Sequence, residues 1–270
     1  MRRAAQSALL AVVAIMPAIL AGVSCGPPSI PRITLPTGPG EPRADFASTY
    51  ADATLSCRAV HSLTADLALS GSAGRQRLRG HVLAGFAPDA LRLEGVAPFG
   101  APVFILAAEA GRGTLLLPRD RRVVSSAAPD DILEALVGVK LPPDDLLAVL
   151  TGCVKAAATP VSARTFGVDW LAVDLGGGAA AYLRRQGTDW PIVAAVLGGL
   201  QIDYGARRGG LPQEVRIRTS DPGRTPRVDL QVRFQSVEVN PDIDRAAFSV
   251  VVPPGTPAIT VQELSESYHR

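Results

Sequence analysis

The side chains best suited to chemistry are few in this sequence, and they do not form a catalytic pattern. The three histidines, His61, His81 and His269, lie far apart in the chain, and none pairs with a cysteine at metal-ligand spacing. Two aspartate pairs, at 130–131 and 144–145, follow prolines at predicted helix starts, where the helix dipole favours negative charge. Phosphate-loop, zinc-protease and nucleophile-elbow motifs are absent from the sequence. We therefore expect no enzyme activity, no metal and no dissociable cofactor.

Cys25 is the residue whose surroundings indicate a covalent modification. Two arginines and an apolar run from Ala8 to Leu20 precede it, which is typical of a secretory signal and too short to span a bilayer permanently. A Pro- and Gly-rich stretch follows the cysteine, so the whole segment resembles a bacterial lipoprotein signal. We expect removal of residues 1–24, a covalent lipid on Cys25, and a tether over 25–44. The alternative is an ordinary cleaved signal peptide that happens to contain a cysteine.

The two remaining cysteines, Cys57 and Cys153, make an even pair. An exported protein meets an oxidising compartment, where one disulfide between them is possible. Two unpaired cysteines buried as small apolar side chains are the alternative.

The composition narrows the class of partner. Lys and Arg number 27 against 25 Asp and Glu, which gives a net charge of +2 and no case for nucleic acid. Hydrophobic residues make up 47% of the chain but aromatic residues only 5%, so the apolar content is mostly aliphatic. An aliphatic, turn-rich chain of this kind favours a binding protein over an enzyme.

Phe99 stands at the tip of a short turn, between Pro98 and Gly100. Proline and glycine fix a tight protrusion, and the tip of such a turn is ordinarily polar. An exposed aromatic residue there indicates contact with an apolar partner or a bilayer. The alternative, that Phe99 folds back and fills the core, remains open at this point.

The hydrophobic periods indicate the elements that position these residues. An apolar stripe with helical spacing runs from Asp45 to about His61, after which apolar and polar residues alternate as in strands with one wet face. Two short helices, 129–137 and 143–151, interrupt the strands, and each has proline at its start and glycine after its end. We predict a mainly β (α+β) protein with about 10–11 antiparallel strands.

Two stretches carry a resemblance to a known family. The run LRLEGVAPFGAPVFIL from residue 91 and the run PDDILEALVGVKLPPDDLLAVLTG from residue 129 resemble the LolB-like outer-membrane lipoprotein receptors of the LolA/LolB carrier family. The likeness covers about residues 45–151 in order and spacing, and it is vaguer to about 248. It implies a half-open β-barrel with an N-terminal helix and a helical lid. It also implies that Phe99, with Pro98 and Gly100, inserts into the membrane.

The resemblance sets the functional expectations. We expect a half-barrel domain over 45–250, a C-terminal extension over 251–270, and an anchor at the periplasmic face of the outer membrane. The protein would receive lipoprotein acyl chains, with a periplasmic LolA-like carrier as partner, and deliver them to that membrane. Alternatives are a lipid or glycolipid carrier of the same fold and a non-enzymatic assembly or sensor lipoprotein.

An aliphatic interior would hold the acyl chain under a displaceable cover. The expected cavity lining is Leu67, Leu69, Leu91, Leu93, Val103, Ile105, Val228, Leu230, Val232 and Phe234. The expected lid residues are Ile132, Leu133, Leu136, Leu146, Leu147 and Leu150.

Overall fold

The protein is mainly β, with about 45% of its residues in strands. The computed structural model describes residues 30, 32–96, 102–155, 159–220, 223 and 227–269. Its helices are α1 (Phe46–Arg58), α2 (Pro129–Val137), α3 (Pro143–Thr151) and α4 (Val261–His269), with a 3-10 helix at Arg245–Phe248. In the first half of the chain the strands are β1 (Glu41–Pro42), β2 (Leu63–Ala73), β3 (Gln76–Ala87), β4 (Ala90–Val96), β5 (Phe104–Glu109), β6 (Arg112–Leu117) and β7 (Arg122–Ala127). In the second half they are β8 (Ser162–Phe166), β9 (Trp170–Asp174), β10 (Ala180–Arg184), β11 (Ile192–Leu197), β12 (Leu200–Tyr204), β13 (Arg207–Arg208), β14 (Leu211–Pro212), β15 (Glu214–Thr219) and β16 (Val228–Val239).

One antiparallel sheet of fourteen strands forms the body of the described chain. Its order is β1-β8-β9-β10-β11-β12-β15-β16-β2-β3-β4-β5-β6-β7, and β13 and β14 form a separate pair. Since β1 and β7 are the two edges, the sheet is not closed into a barrel, which confirms the half-open architecture. The strand count exceeds the predicted 10–11, because β1, β8, β11, β13 and β14 gave no separate signal in the sequence.

The two faces of the sheet differ in polarity because alternate residues of a strand point to opposite sides. We call the face of Leu67, Leu93 and Leu230 the inner face; its side chains are largely buried. The opposite, outer face carries Arg79 and Gln231, which share a row with Ser70 of β2. The apolar side chains of the inner face therefore need a cover.

Helices α2 and α3 supply that cover, and both begin and end at the predicted residues. Each has proline in its first turn followed by two aspartates, which suit the positive end of the helix dipole. Gly138 and Gly152 end the helices in the left-handed region, with φ of 71° and 95°. Among the described residues, no helix has the length and apolarity needed to cross a membrane.

The described residues of the segment predicted as a tether are bonded to the sheet at several points. The carbonyl oxygen of Ile30 accepts a hydrogen bond from Arg216 (3.1 Å), and that of Ile33 accepts from Gln201 (2.9 Å) and Arg218 (3.1 Å). Farther on, β1 pairs with β8 at the sheet edge. The reason is that arginines on the outer face supply donors that satisfy the extended backbone.

The C-terminal extension is also part of the fold. Val123 of edge strand β7 exchanges backbone hydrogen bonds with Pro257 (3.0 Å) and Ile259 (2.8 Å), and α4 then packs on α2 with Leu264 fully buried. The sequence did hold a signal for α4. Thr260 and Glu263 form a capping box, in which each side chain bonds to the backbone N–H of the other (2.7 and 3.1 Å).

Candidate functional site: the inner face and its lid

Most residues expected to line a cavity lie on the inner face. They pair across β16, β2, β3 and β4, and directly paired residues share a face. Leu67, Leu91, Leu93, Val228, Leu230 and Val232 are buried, while Leu69 and Phe234 are partly buried against the same apolar cluster.

The placement of Ile105 and Val103 corrects the expected lining. Ile105 pairs with Glu94 across β4 and β5, so it lies on the outer face, and Val103, two residues earlier, has the same parity. Leu106 takes the inner position opposite Leu93 and is fully buried. This stretch is apolar on both faces, so alternation alone did not fix its register. Glu109 could have indicated the register. It ends the strand, it is exposed, and it lies on the same face as Ile105 because the two are an even number of residues apart.

The lid residues complete the same apolar cluster from the other side. The six expected side chains are all buried, and they join one continuous core with the inner face: Ile132, Leu133 and Leu136 from α2, and Leu146, Leu147 and Leu150 from α3. In the structure the leucines of α2 and α3 therefore cover the inner face.

Helix α2 contacts the sheet at a position without a side chain. A Cβ atom on Gly113 of β6 would come within 3.0 Å of Ile132 Cδ1, so glycine allows close approach. The solvent side of α2 is charged, with Lys140 Nζ 2.5 Å from Asp131 and 3.3 Å from Glu134. This polarity orients the helix with its apolar side against the sheet.

Helix α3 is held at its C-terminal end by several bonds. A disulfide joins Cys153 to Cys57 of α1, with a Cα–Cα distance of 5.7 Å. The Tyr204 hydroxyl donates to the carbonyl oxygen of Cys153 (2.5 Å), and burial raises the pKa of Tyr204 well above its usual value. Arg207 also packs against Gly152, so the end of α3 is tied to α1, β12 and β13.

The second half of the sheet adds apolar residues to the inner face that the sequence pattern did not assign to the site. Strands β9, β10, β12 and β15 extend the inner surface beyond β16, and their buried side chains belong to the same cluster: Leu171, Val173, Leu183, Leu200, Ile202, Val215 and Ile217. Their alternation with polar residues was visible in the sequence, but their position beside β16 follows only from the sheet order.

The apolar cluster offers hydrophobic contact and little polar chemistry. In the described part of the chain, the buried hydroxyls of Thr54 and Thr151 bond to carbonyls of their own helices, and Ser62 bonds to Pro241. Gln201 and Asp203 are buried on the outer face, under the N-terminal segment. A surface of this kind makes mainly apolar contacts.

The residues expected at the membrane lie outside the described part of the chain. These are Cys25 and the tip residues Pro98, Phe99 and Gly100. On either side of the tip, β4 ends at Val96 and β5 begins at Phe104, whose ring lies over Gly95. Val96 and Val103 are exposed next to it, at 39% and 38%.

No protein-family model matches the sequence, and no curated protein matches it. Among solved structures, the chain is similar to a domain from Vibrio parahaemolyticus described as an outer membrane lipoprotein-sorting protein (8% identity, 69% of this chain, 88% of that one, TM-score 0.43). It is also similar to a DUF1329 family protein from Desulfovibrio piger (12%, 76% and 98%, 0.45). A third is lipoprotein LppX from Mycobacterium tuberculosis (8%, 74% and 100%, 0.31). Values this low carry no argument about what this chain binds.

Proposed function

We propose that the protein is a lipid-anchored carrier that shelters acyl chains of lipoproteins on its inner face and delivers them to the outer membrane. The observation that carries this proposal is the pairing of a wide aliphatic sheet face with a cover of two short helices. Helices α2 and α3 cover the sheet through side chains and belong to none of its strand ladders. A cover of this kind can leave without breaking the sheet.

In such a carrier, the free energy gained by burying the acyl chain is opposed by the free energy lost on opening the lid. An acyl chain of about 16 carbons gains on the order of 12 kcal/mol on leaving water, at ~0.8 kcal/mol per CH₂. Lifting the lid exposes leucines of the lid and of the inner face to water, and this exposure costs hydrophobic free energy. An acyl chain that takes the place of the lid on the inner face offsets much of that cost, so binding stays reversible.

The contacts of the two helices support a motion of α2 in preference to α3. The end of α3 is tied by the disulfide and by the Tyr204 hydroxyl, whereas α2 packs against β6 and α4 and forms ion pairs with Lys140 of the turn that follows it. Gly138 in the left-handed region begins the turn between the two helices. In our proposal α2 swings on this turn while α3 stays attached.

Ligand analysis tests the proposal and separates its alternatives. The unacylated mature chain, residues 26–270, is purified and its bound molecules are identified by mass spectrometry. Lipoprotein acyl chains, or saturable binding of a fluorescent fatty acid, support a carrier. Co-purified free phospholipid instead assigns a lipid carrier of the same fold. A protein that binds no acyl probe contradicts both and leaves an assembly or sensor role.

Gly113→Ala is expected to favour the open lid. The new Cβ meets Ile132 Cδ1 at 3.0 Å, and overpacking of this kind costs about 1 kcal/mol or more. Since binding competes with lid closure, affinity for the fluorescent fatty acid rises about fivefold for each ~1 kcal/mol by which the closed lid is destabilised. Probe titration measures this. The matched control is Gly113→Ala with Ile132→Val, which removes the clashing Cδ1 atom and returns affinity toward wild type. An unchanged affinity in the single variant would count against a mobile α2.

Phe99→Glu is expected to leave folding and acyl binding unchanged but to slow delivery of bound acyl chains to liposomes. A charged side chain at the membrane costs a few kcal/mol, so the decrease is at least about tenfold. Transfer of a labelled lipoprotein to liposomes gives the rate. The control is Val168→Glu, which places the same charge at a residue 74% exposed in the turn between β8 and β9, at the opposite end of the sheet. Equal rates for both variants would refute the role of Phe99.

A further inference from the structure

We propose that the outer face of the sheet carries a docking groove for anionic phospholipid headgroups. We call it the basic groove: a concavity of about 1210 Å³ whose floor is Ser70 and Ser72 of β2 and whose free wall is Arg77 and Arg79 of β3. The inference rests on the proposed function, because that function places the protein at a membrane.

The strand register assembles the groove. Ser70 pairs with Arg79 on one side and with Gln231 of β16 on the other, and Ser72 pairs with Arg77 and Asp229. Paired residues share a face, so the arginines stand beside a strip of small hydroxyl side chains. Strands β3 and β16 are two strand spacings apart, about 10 Å, which leaves room above the serines.

The arginines on the β15 and β16 side of the groove are neutralised within the protein. Arg216 donates two hydrogen bonds to Asp229, both of 2.7 Å, and the guanidinium holds the pKa of that carboxyl below its usual range. Arg233 forms an ion pair with Glu214. These pairs hold that wall in place but leave little positive charge for a ligand.

The β3 side carries the uncompensated charge. Arg77 and Arg79 are exposed, as is Arg75 at the hairpin tip, and in the described residues no carboxylate lies within 4 Å of any of the three. Asp66, on the same face, is bonded to His81 (3.1 Å). Alternate residues of one strand are about 7 Å apart, so Arg77 and Arg79 form a row beside Ser70 and Ser72. Guanidinium and hydroxyl donors together suit phosphate oxygens.

The path of the N-terminal segment points to a membrane as the source of the phosphate. Arg32 bonds Asp229 at 2.9 Å, and Ile30 accepts from Arg216, so the chain reaches the body at the edge of the basic groove. Cys25 stands five residues before Ile30, a reach of at most about 17 Å. A lipid on Cys25 would therefore keep this face close to the headgroups. At that range an anionic bilayer attracts the free arginines.

Vesicle co-sedimentation tests the groove with the unacylated mature chain, residues 26–270, which keeps every described residue. Wild type is expected to bind phosphatidylcholine vesicles containing phosphatidylglycerol more tightly than phosphatidylcholine alone, and added NaCl weakens the binding. Arg77→Gln with Arg79→Gln is expected to bind the anionic vesicles about 30-fold more weakly. The charge-matched control is Arg112→Gln with Arg208→Gln, two exposed arginines away from the groove, and its binding stays near wild type.

Several results would overturn the groove. One is equal binding to both vesicle types, and another is an equal loss in the control variant. Retention of wild type on polyglutamate beads but not on anionic vesicles would assign the face to an acidic protein. In each case intact binding of the fluorescent fatty acid leaves the carrier proposal standing. Loss of fatty-acid binding with normal vesicle binding would contradict the carrier proposal and leave the basic groove standing.

Discussion

Removing the disulfide with Cys57→Ala and Cys153→Ala is expected to lower the free energy of unfolding by about 4 kcal/mol. The bond joins residues 96 apart in sequence, and cross-linking a loop of about 100 residues restricts the unfolded chain by up to ~4.7 kcal/mol. Both cysteines are buried in a small apolar cluster with Ala148 of α3. Alanine at these two positions therefore adds no unpaired polar group. Urea denaturation of oxidised wild type and the double variant measures the difference.

Reduction provides the matched control for this prediction. Dithiothreitol is expected to bring wild type close to the double variant and to leave the variant unchanged. Because the bond ties the end of α3 to α1, its loss also frees the second lid helix, and binding of the fluorescent fatty acid becomes tighter. A loss of under about 1 kcal/mol, with no effect of reductant, would mean that the bond neither restricts the chain nor fixes the lid.

Leu264→Ala is expected to weaken the docking of α4 on α2 by about 3 kcal/mol. Leu264 is fully buried, and truncating a buried leucine costs about 2–5 kcal/mol. Since α4 is the last element described, the cost is expected to appear as local detachment more than as global unfolding. Hydrogen exchange then shows faster exchange in α4 and in α2, while β2 and β16 stay protected.

The consequence for function is an easier opening of the lid. Helix α4 packs on α2, so its detachment removes support from the helix that we propose to move. Affinity for the fluorescent fatty acid therefore rises, and combination with Gly113→Ala is non-additive because both changes act on α2. Leu55→Ala is the control, since Leu55 is 71% exposed on α1. Normal protection of α2 in the Leu264 variant would rule out a supporting role for α4.

Local signals were the most informative part of the sequence. Helices α2 and α3 were predicted to the residue, because proline, two aspartates and a closing glycine mark each one within about ten positions. The capping box of α4 is equally local, and it lies within the segment that was predicted only as a C-terminal extension. Strands β2, β3 and β16 were recognisable because one of their faces is wet.

Local signals could not predict which residues of β5 lie on the inner face. Its residues are apolar on both sides, so only pairing with β4 places Ile105 opposite Glu94 and Leu106 opposite Leu93. The attachment of the N-terminal segment was also not predictable from local sequence, because its composition is that of a linker. Its carbonyl oxygens accept hydrogen bonds from Arg216, Arg218 and Gln201, which are distant in the chain.

The residue types and their periods determined that this chain is an aliphatic, mainly β protein with two short helices at 129–137 and 143–151. Those properties follow from spacing within a few residues, which local sterics and burial fix. The tertiary structure decided which face is dry, which cysteines bond, and where the free arginines stand. Those depend on strand order and register, which place Arg77 and Asp229, distant in the chain, on either side of Ser72.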